Sequence, residues 1–530
     1  MKLWYGGNIY TLQGEEQQVE AVLSKDDYII DIGSKQKLEE KYKSEITQRV
    51  DLNGATMLPG FVDSHLHLIG HGETLIRLDL SSFTKKVDVL EAVREYAQGF
   101  TDGGWIIGEG WNENLWDIAS PLTRLELDEI VPDSPVILKR VCRHALVANS
   151  KALELAGITI ETITPPGGVI EKDIDGELTG LLKDQAQDLL IKVLPKVSNE
   201  YLEKAMTAAI KDAYRLGLTG GHTEDLNYYS GFQPTYKTFE KVIKEKGNKF
   251  RAHLLVHHEV VDEMKQEGFW SFSGDTSIEF GAMKIFADGA LGGRTALLSF
   301  PYADDPTTCG VAIFTREQLN ELVAKARRLD MPVAIHTIGD LAFDYALSAI
   351  ENNPITNGRD RIIHAQILNK ELIDRAKSQP SLILDLQPRF LASDFPWVID
   401  RIGVKKMEYC YAWKTLIDSG IPCAGGSDAP IEPLNPLLGI HAAVTRMNVE
   451  DPNQTVYGEK EKLSVYEAVS LFTKGSAYAI CHEHDRGMIQ IGYLADFTIL
   501  EQNLFTVPHE EIANVKVKMT VIGGDIVYES

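Results

Sequence analysis

Short apolar runs with a β-type pattern recur through the middle of this chain, and most are followed by a stretch whose apolar positions repeat at helical spacing. The runs lie at Phe61-Val62-Asp63-Ser64-His65, Leu218-Thr219-Gly220-Gly221-His222, Ala252-His253-Leu254-Leu255-Val256-His257 and Met283-Lys284-Ile285-Phe286. They continue at Pro332-Val333-Ala334-Ile335-His336, Arg361-Ile362-Ile363-His364, Ser381-Leu382-Ile383-Leu384-Asp385-Leu386-Gln387 and Cys423-Ala424-Gly425-Gly426-Ser427-Asp428, eight runs in all. Thr315 to Leu329 is a typical intervening helix, with Glu317, Glu321, Lys325 and Arg328 among its apolar positions. Alternating β and α with eight strands predicts an α/β protein built on a parallel (β/α)8 barrel, whose working residues sit at the carboxyl ends of the strands.

The two ends of the chain read differently. Residues 1–57 and 483–530 are short β-type runs broken by polar turns, and neither end has enough apolar residues for its own core. They are expected to pair into one small β-sandwich domain, leaving 58–482 to the barrel. The connection between the first and second runs, about residues 70–213, is too long for a structureless loop. It is expected to be an insertion domain leaning over the barrel mouth as a substrate lid.

Composition removes some functions. A net charge of -24 argues against nucleic acid or an anionic membrane as the main partner, since both need a positive surface. No apolar run is long enough to span a bilayer, and Met1-Lys2-Leu3-Trp4-Tyr5 begins a strand, not a signal-peptide core. The five cysteines, Cys142, Cys309, Cys410, Cys423 and Cys481, are scattered, odd in number and without a CxxC pair. Reduced thiols and a cytoplasmic location are the expectation, with a small molecule as substrate.

Chemistry collects at the ends of the runs. His65 and His67 are two apart on a strand, so both imidazoles face one side and Leu66 the other. His336 and His364 end consecutive strands, in register with that pair and with Asp428 after the last strand. Each alone has a structural alternative: a histidine bonded within the core, or an aspartate capping the next helix. Together they make a donor set suited to zinc, manganese or iron. Lys284 is expensive to bury as a cation. Physical chemistry alone favours a salt bridge, to Asp288 or another carboxylate. The alternative is carbamylation by CO2, which turns the amine into an anionic bridging ligand.

With Leu58-Pro59-Gly60-Phe61-Val62-Asp63-Ser64-His65-Leu66-His67, Lys284-Ile285-Phe286-Ala287-Asp288-Gly289, His336-Thr337-Ile338-Gly339-Asp340, Ile363-His364-Ala365-Gln366 and Gly426-Ser427-Asp428-Ala429-Pro430, the chain resembles the amidohydrolase superfamily, in its family 3 or YtcJ-like branch. The resemblance covers nearly the whole chain. It implies a TIM barrel with a β-sandwich domain and two divalent metals, most simply zinc. It implies that His65 and His67 hold one metal, His336 and His364 the other, that carboxylated Lys284 bridges them, and that Asp428 is both ligand and proton shuttle. It reverses the salt-bridge preference for Lys284. Members of the superfamily often form homodimers.

The expected reaction is hydrolysis of an amide-type C–N bond, on N-acyl or N-formyl amines, by a hydroxide shared between the metals, with Asp428 passing its proton to the leaving amine. His222, Arg294 and Trp111 are candidates for substrate contact. His222 has a hydrogen-bonding structural role as its alternative, Arg294 a pairing with Asp288, and Trp111, with Trp116, a place in the insertion core. Two other functions compete. A mononuclear deaminase of the same superfamily usually carries a glutamate three residues after the strand-five histidine, where this chain has Gly339. A catalytically silent regulatory relative would be expected to have lost ligands.

Overall fold

The computed structural model describes residues 1–99, 104–113, 116, 120–140, 145–165, 168–194, 197–229 and 231–530, and Cys142 lies outside them. The chain divides into two compact units, residues 1–71 with 206–530, and residues 72–205.

The first unit contains the barrel. Its strands are β1 (Phe61–Leu66), β2 (Leu218–Thr223), β3 (Arg251–His257), β4 (Ile278–Phe286), β5 (Val333–Thr337), β6 (Asp360–His364), β7 (Leu382–Leu386) and β8 (Cys423–Gly425). They hydrogen-bond in sequence order as one eight-stranded sheet, and every neighbouring pair is parallel. The ends approach each other just past β8. There the Asp428 N–H donates to the His65 carbonyl at 2.7 Å, and the Ser427 N–H donates to the Asp63 carboxylate at 3.0 Å.

The strands read as continuous apolar runs because both faces are covered; every residue of β3 is buried. Leu255, Ala282, Ala334 and Ile363 meet inside the barrel. The helix Arg316–Arg328 shows why the intervening segments are helical. Thr315 and Gln318 form a capping box, Leu319, Val323 and Ala326 are buried, and Lys325, Arg327 and Arg328 fall in the last turn, where cations favour the helix dipole.

Both chain ends join one eight-stranded sheet. In it Thr56–Pro59, just upstream of β1, pairs antiparallel with Phe497–Leu500. Its strands are linked by hydrogen bonds into one sheet, around a core that both ends share and that includes Trp4, Val22, Met57, Phe497 and Val521.

The second unit is built on a six-stranded sheet. Trp111 belongs to its interior. It is 1% exposed, packs with Trp116 at 6.0 Å between ring centroids, and gives its indole N–H to the Leu138 carbonyl. The substrate-contact role expected for Trp111 is therefore corrected: its polar and apolar parts are both used within this core. Among the described residues no helix is long and apolar enough to cross a membrane.

Candidate metal centre

The carboxyl ends of the barrel strands bring the histidines, Lys284 and Asp428 into one cluster. Asp428 Oδ1 lies 3.3 Å from His65 Nε2 and 3.4 Å from His67 Nε2. Lys284 Nζ lies 3.0 Å from the same His65 nitrogen. His364 packs 5.9 Å from His65 and 4.4 Å from His336 between ring centroids. One ligand atom each from His65, His364 and Asp428 falls within 4.8 Å of the others.

Two of these placements need unusual backbone. Ile363 already faces the barrel interior, so strict alternation would turn His364 outward. A φ of 77° at His364 and 48° at Ala365 breaks the alternation and brings the imidazole round to the cluster. Asp428 also sits in the left-handed region, at φ 61°. Such conformations cost energy in non-glycine residues and concentrate at functional sites.

The surroundings fix protonation. Burial, and then the charge of Lys284, hold His65 well below its ordinary pKa. Burial does the same to His364, assisted by His336, and lowers His336 to about 4. These three rings are neutral, the state in which imidazole binds metal. Burial opposes charge on His67 too, but the hydrogen bond and charge of Asp428, with Glu224 beyond, carry it to about 9. Burial would raise Asp428, yet its bonds to His65 and His67 keep it well below the carboxylate range. Burial brings Lys284 down to about 8.

The donor set fits metal ions. Both ring nitrogens of His364 are buried without a hydrogen-bond partner, an expensive arrangement unless something binds there. Neighbouring groups orient the rest, as outer-shell partners of metal ligands do. His67 gives its Nδ1–H to the Glu224 carbonyl at 2.7 Å, and His336 gives its Nε2–H to the Gly289 carbonyl at 3.2 Å. The Asp63 carboxylate accepts the N–H groups of His65 and Ser427. Beneath the cluster, Arg361 bonds Asp385 at 2.6 Å and reaches the Ser64 carbonyl.

Some expectations are corrected. Lys284 makes no ion pair among the described residues; its amine meets His65 and the face of Phe286. Asp288 is occupied by the N–H groups of Leu297, Ile338 and Gly339. Arg294 pairs with Asp304 at 2.9 Å and is partly exposed, so neither an Asp288 partner nor a substrate is needed to explain it. His222 is one layer too deep. It pairs in register with His253 and lines a small cavity of about 30 Å³ with Arg251, His253, Glu279 and Asp496. The residue of that segment beside the cluster is Glu224, whose Oε2 lies 3.7 Å from His67 Nδ1. Glu224, Tyr228 and His257 were missed. The signal was position: each lies at or just past a strand end that the sequence had already marked.

A parallel barrel carrying this side-chain set at its carboxyl rim defines a metal-dependent hydrolase. The chain belongs to the amidohydrolase family, whose sequence profile matches residues 48–528. It is 54% identical over 528 residues to "Putative amidohydrolase YtcJ" of Bacillus subtilis (strain 168), covering 99% of each chain. It is 24% identical to the N-substituted formamide deformylase of Arthrobacter pascens, over 98% of this chain and 97% of that one. Among solved structures it is similar to an uncharacterized metal-dependent hydrolase from Pyrococcus horikoshii OT3, with a TM-score of 0.81 and 29% identity over 96% of this chain and 99% of that one.

Proposed function

We propose that this protein hydrolyses an amide-type C–N bond, with N-acyl or N-formyl amines as the substrate class. The reading rests on the convergence of His65, His67, Lys284, His336, His364 and Asp428 on one site. His65 and His67 would hold one divalent ion, most simply zinc, His336 and His364 a second, and a carboxylated Lys284 would lie between them. A divalent ion there lowers the pKa of water and polarises a carbonyl oxygen. Lowering Lys284 to about 8 keeps a usable fraction of its amine neutral near neutral pH, the form that reacts with CO2. Asp428, held ionised, takes a proton from the attacking water and delivers it to the departing amine nitrogen. The name of the Arthrobacter pascens relative supports the N-formyl amine choice.

The mononuclear deaminase is less well supported, because Gly339 stands where its glutamate would be and Lys284 would have no part. The test pairs metal content with turnover. Protein prepared with zinc and bicarbonate should carry about two metals per chain, falling to one or none in Lys284→Ala, and should release amine from an N-formyl or N-acyl amine panel. One metal, unchanged in the variant, would favour the deaminase. No amine from any panel member would remove the C–N reading.

A further inference from the structure

The four histidines of the centre form part of a longer circle of ring contacts. His65 meets His67 at 5.5 Å and His364 at 5.9 Å, and His364 meets His336 at 4.4 Å. Three further side chains complete it. Tyr228 lies 5.6 Å from His67, His257 lies 6.4 Å from Tyr228 and 6.0 Å from Phe286, and Phe286 lies 5.2 Å from His336. The circle thus divides into a metal-ligand arc on β1, β5 and β6, and an arc from β3, β4 and the segment after β2 that has no metal-ligand assignment.

His257 is the hydrogen-bonding member of that second arc. It lies two residues beyond Leu255, which faces the barrel interior, and opposite Lys284 in the β3–β4 ladder. Its side chain therefore points inward at the carboxyl rim. Its tautomer is fixed by a neighbour: the Glu259 backbone N–H donates to Nδ1 at 3.3 Å. A backbone N–H can only donate, so the ring proton resides on Nε2. A carboxylate oxygen of Glu259 stands farther from Nδ1, at 3.6 Å. No described protein group takes the Nε2 hydrogen. The other arc members cannot serve as donors, because Phe286 has no polar atom and the Tyr228 hydroxyl is given to Glu224.

We propose that His257 is a catalytic residue whose Nε2–H donates to the carbonyl oxygen of the substrate and stabilises the negative charge that grows there. The acyl group would then lie along the Tyr228, His257 and Phe286 arc, with the departing amine toward Asp428. This rests on the C–N hydrolase reading. Removing a donor of this kind typically costs about 10²–10³ in kcat.

The test compares His257→Phe, which keeps a ring between Tyr228 and Phe286, with His257→Gln, which restores an N–H donor. Both are checked for metal content and melting temperature. On whichever N-formyl or N-acyl amine the wild type turns over, His257→Phe should lose about 10²–10³ in kcat and His257→Gln should recover at least about tenfold of that. Calorimetric binding of acetohydroxamate, a metal chelator whose carbonyl oxygen can also accept from His257, gives a readout that needs no turnover and is compared at matched metal content. The wild type should bind it, His257→Phe at least tenfold more weakly, and His257→Gln close to the wild type. Equal binding by His257→Phe, no rescue by Gln, or no binding by the wild type would overturn the assignment. Acetohydroxamate binding in the expected order without amine release from any substrate would leave His257 as a carbonyl donor and remove the C–N reading alone.

Discussion

Asp428 combines three roles in one residue: its backbone N–H ties the end of the barrel to His65, its φ of 61° turns it into the cluster, and its carboxylate faces two histidines. Asp428→Asn keeps the shape and removes the proton acceptor. Its kcat should fall by about 10²–10⁴, measured at matched metal content, and activity within tenfold of the wild type would deny the shuttle role. The sequence was readable where a side chain's direction follows from simple alternation, as with His65 and His67. It was less readable at His364, where a left-handed residue reverses the alternation. It misled at His222, where the histidine looked more chemical than Glu224 two residues on. Two residues along a strand is roughly 7 Å of depth, enough to move a group from the rim to the cavity beneath. Arg294 and Trp111 misled differently. Each has a partner, Asp304 or Leu138, that no spacing rule reveals.

At the level of elements, the base of β4 is held by a charged network remote from the rim. Glu279 bonds His253 and His482 at 3.0 Å, and His482 also bonds Asp485 at 2.9 Å. Burial opposes charge on His482, but Asp485 and Glu279 raise it to about 9. Burial likewise opposes charge on Glu279, yet His253 and His482 bring it down to about 2. A histidine whose pKa rises on folding stabilises fully below its unfolded value, about 6.5, and loses that stabilisation as pH climbs through about 9. The glutamate's share is present above about 4.5 and fades as pH falls through about 2. The network should therefore contribute most between about pH 4.5 and 6.5. A His482→Gln variant should melt below the wild type by an amount that is largest near pH 6 and shrinks toward pH 9, with about 2–3 kcal/mol at stake after allowing for partial exposure. A gap independent of pH would place the effect in packing. The order of the barrel strands was legible because buried parallel strands write continuous apolar runs. That the two ends meet was legible because neither has apolar residues enough for its own core; the register of Thr56–Pro59 against Phe497–Leu500 was not, because it is set by contacts far apart in sequence.

Across the whole molecule, the terminal sheet is fastened to the barrel base. Arg251 pairs with Asp496 at 3.0 Å, the Phe61 N–H donates to Thr498, and the Thr498 hydroxyl donates to the Gly217 carbonyl. A chain ending at Asp496 should lose cooperative melting and run as an expanded species on size exclusion, because Met57 and Trp4 would lose the core they share with Phe497 and Val521. A compact, cooperatively melting truncation would show that the barrel stands without its sheet.

The pairing of Thr56–Pro59 with Phe497–Leu500 also bears on synthesis. The peptide entering β1 emerges from the ribosome early, yet the strand that pairs with it is made some 440 residues later, roughly 20–90 s at ordinary elongation rates. Throughout that interval Thr56–Pro59 can pair along one edge, with Asn8 and Ile9, while its other edge has no partner. The nascent chain is therefore a natural client for a holding chaperone, and slowing translation near the end of the message should lengthen its exposure.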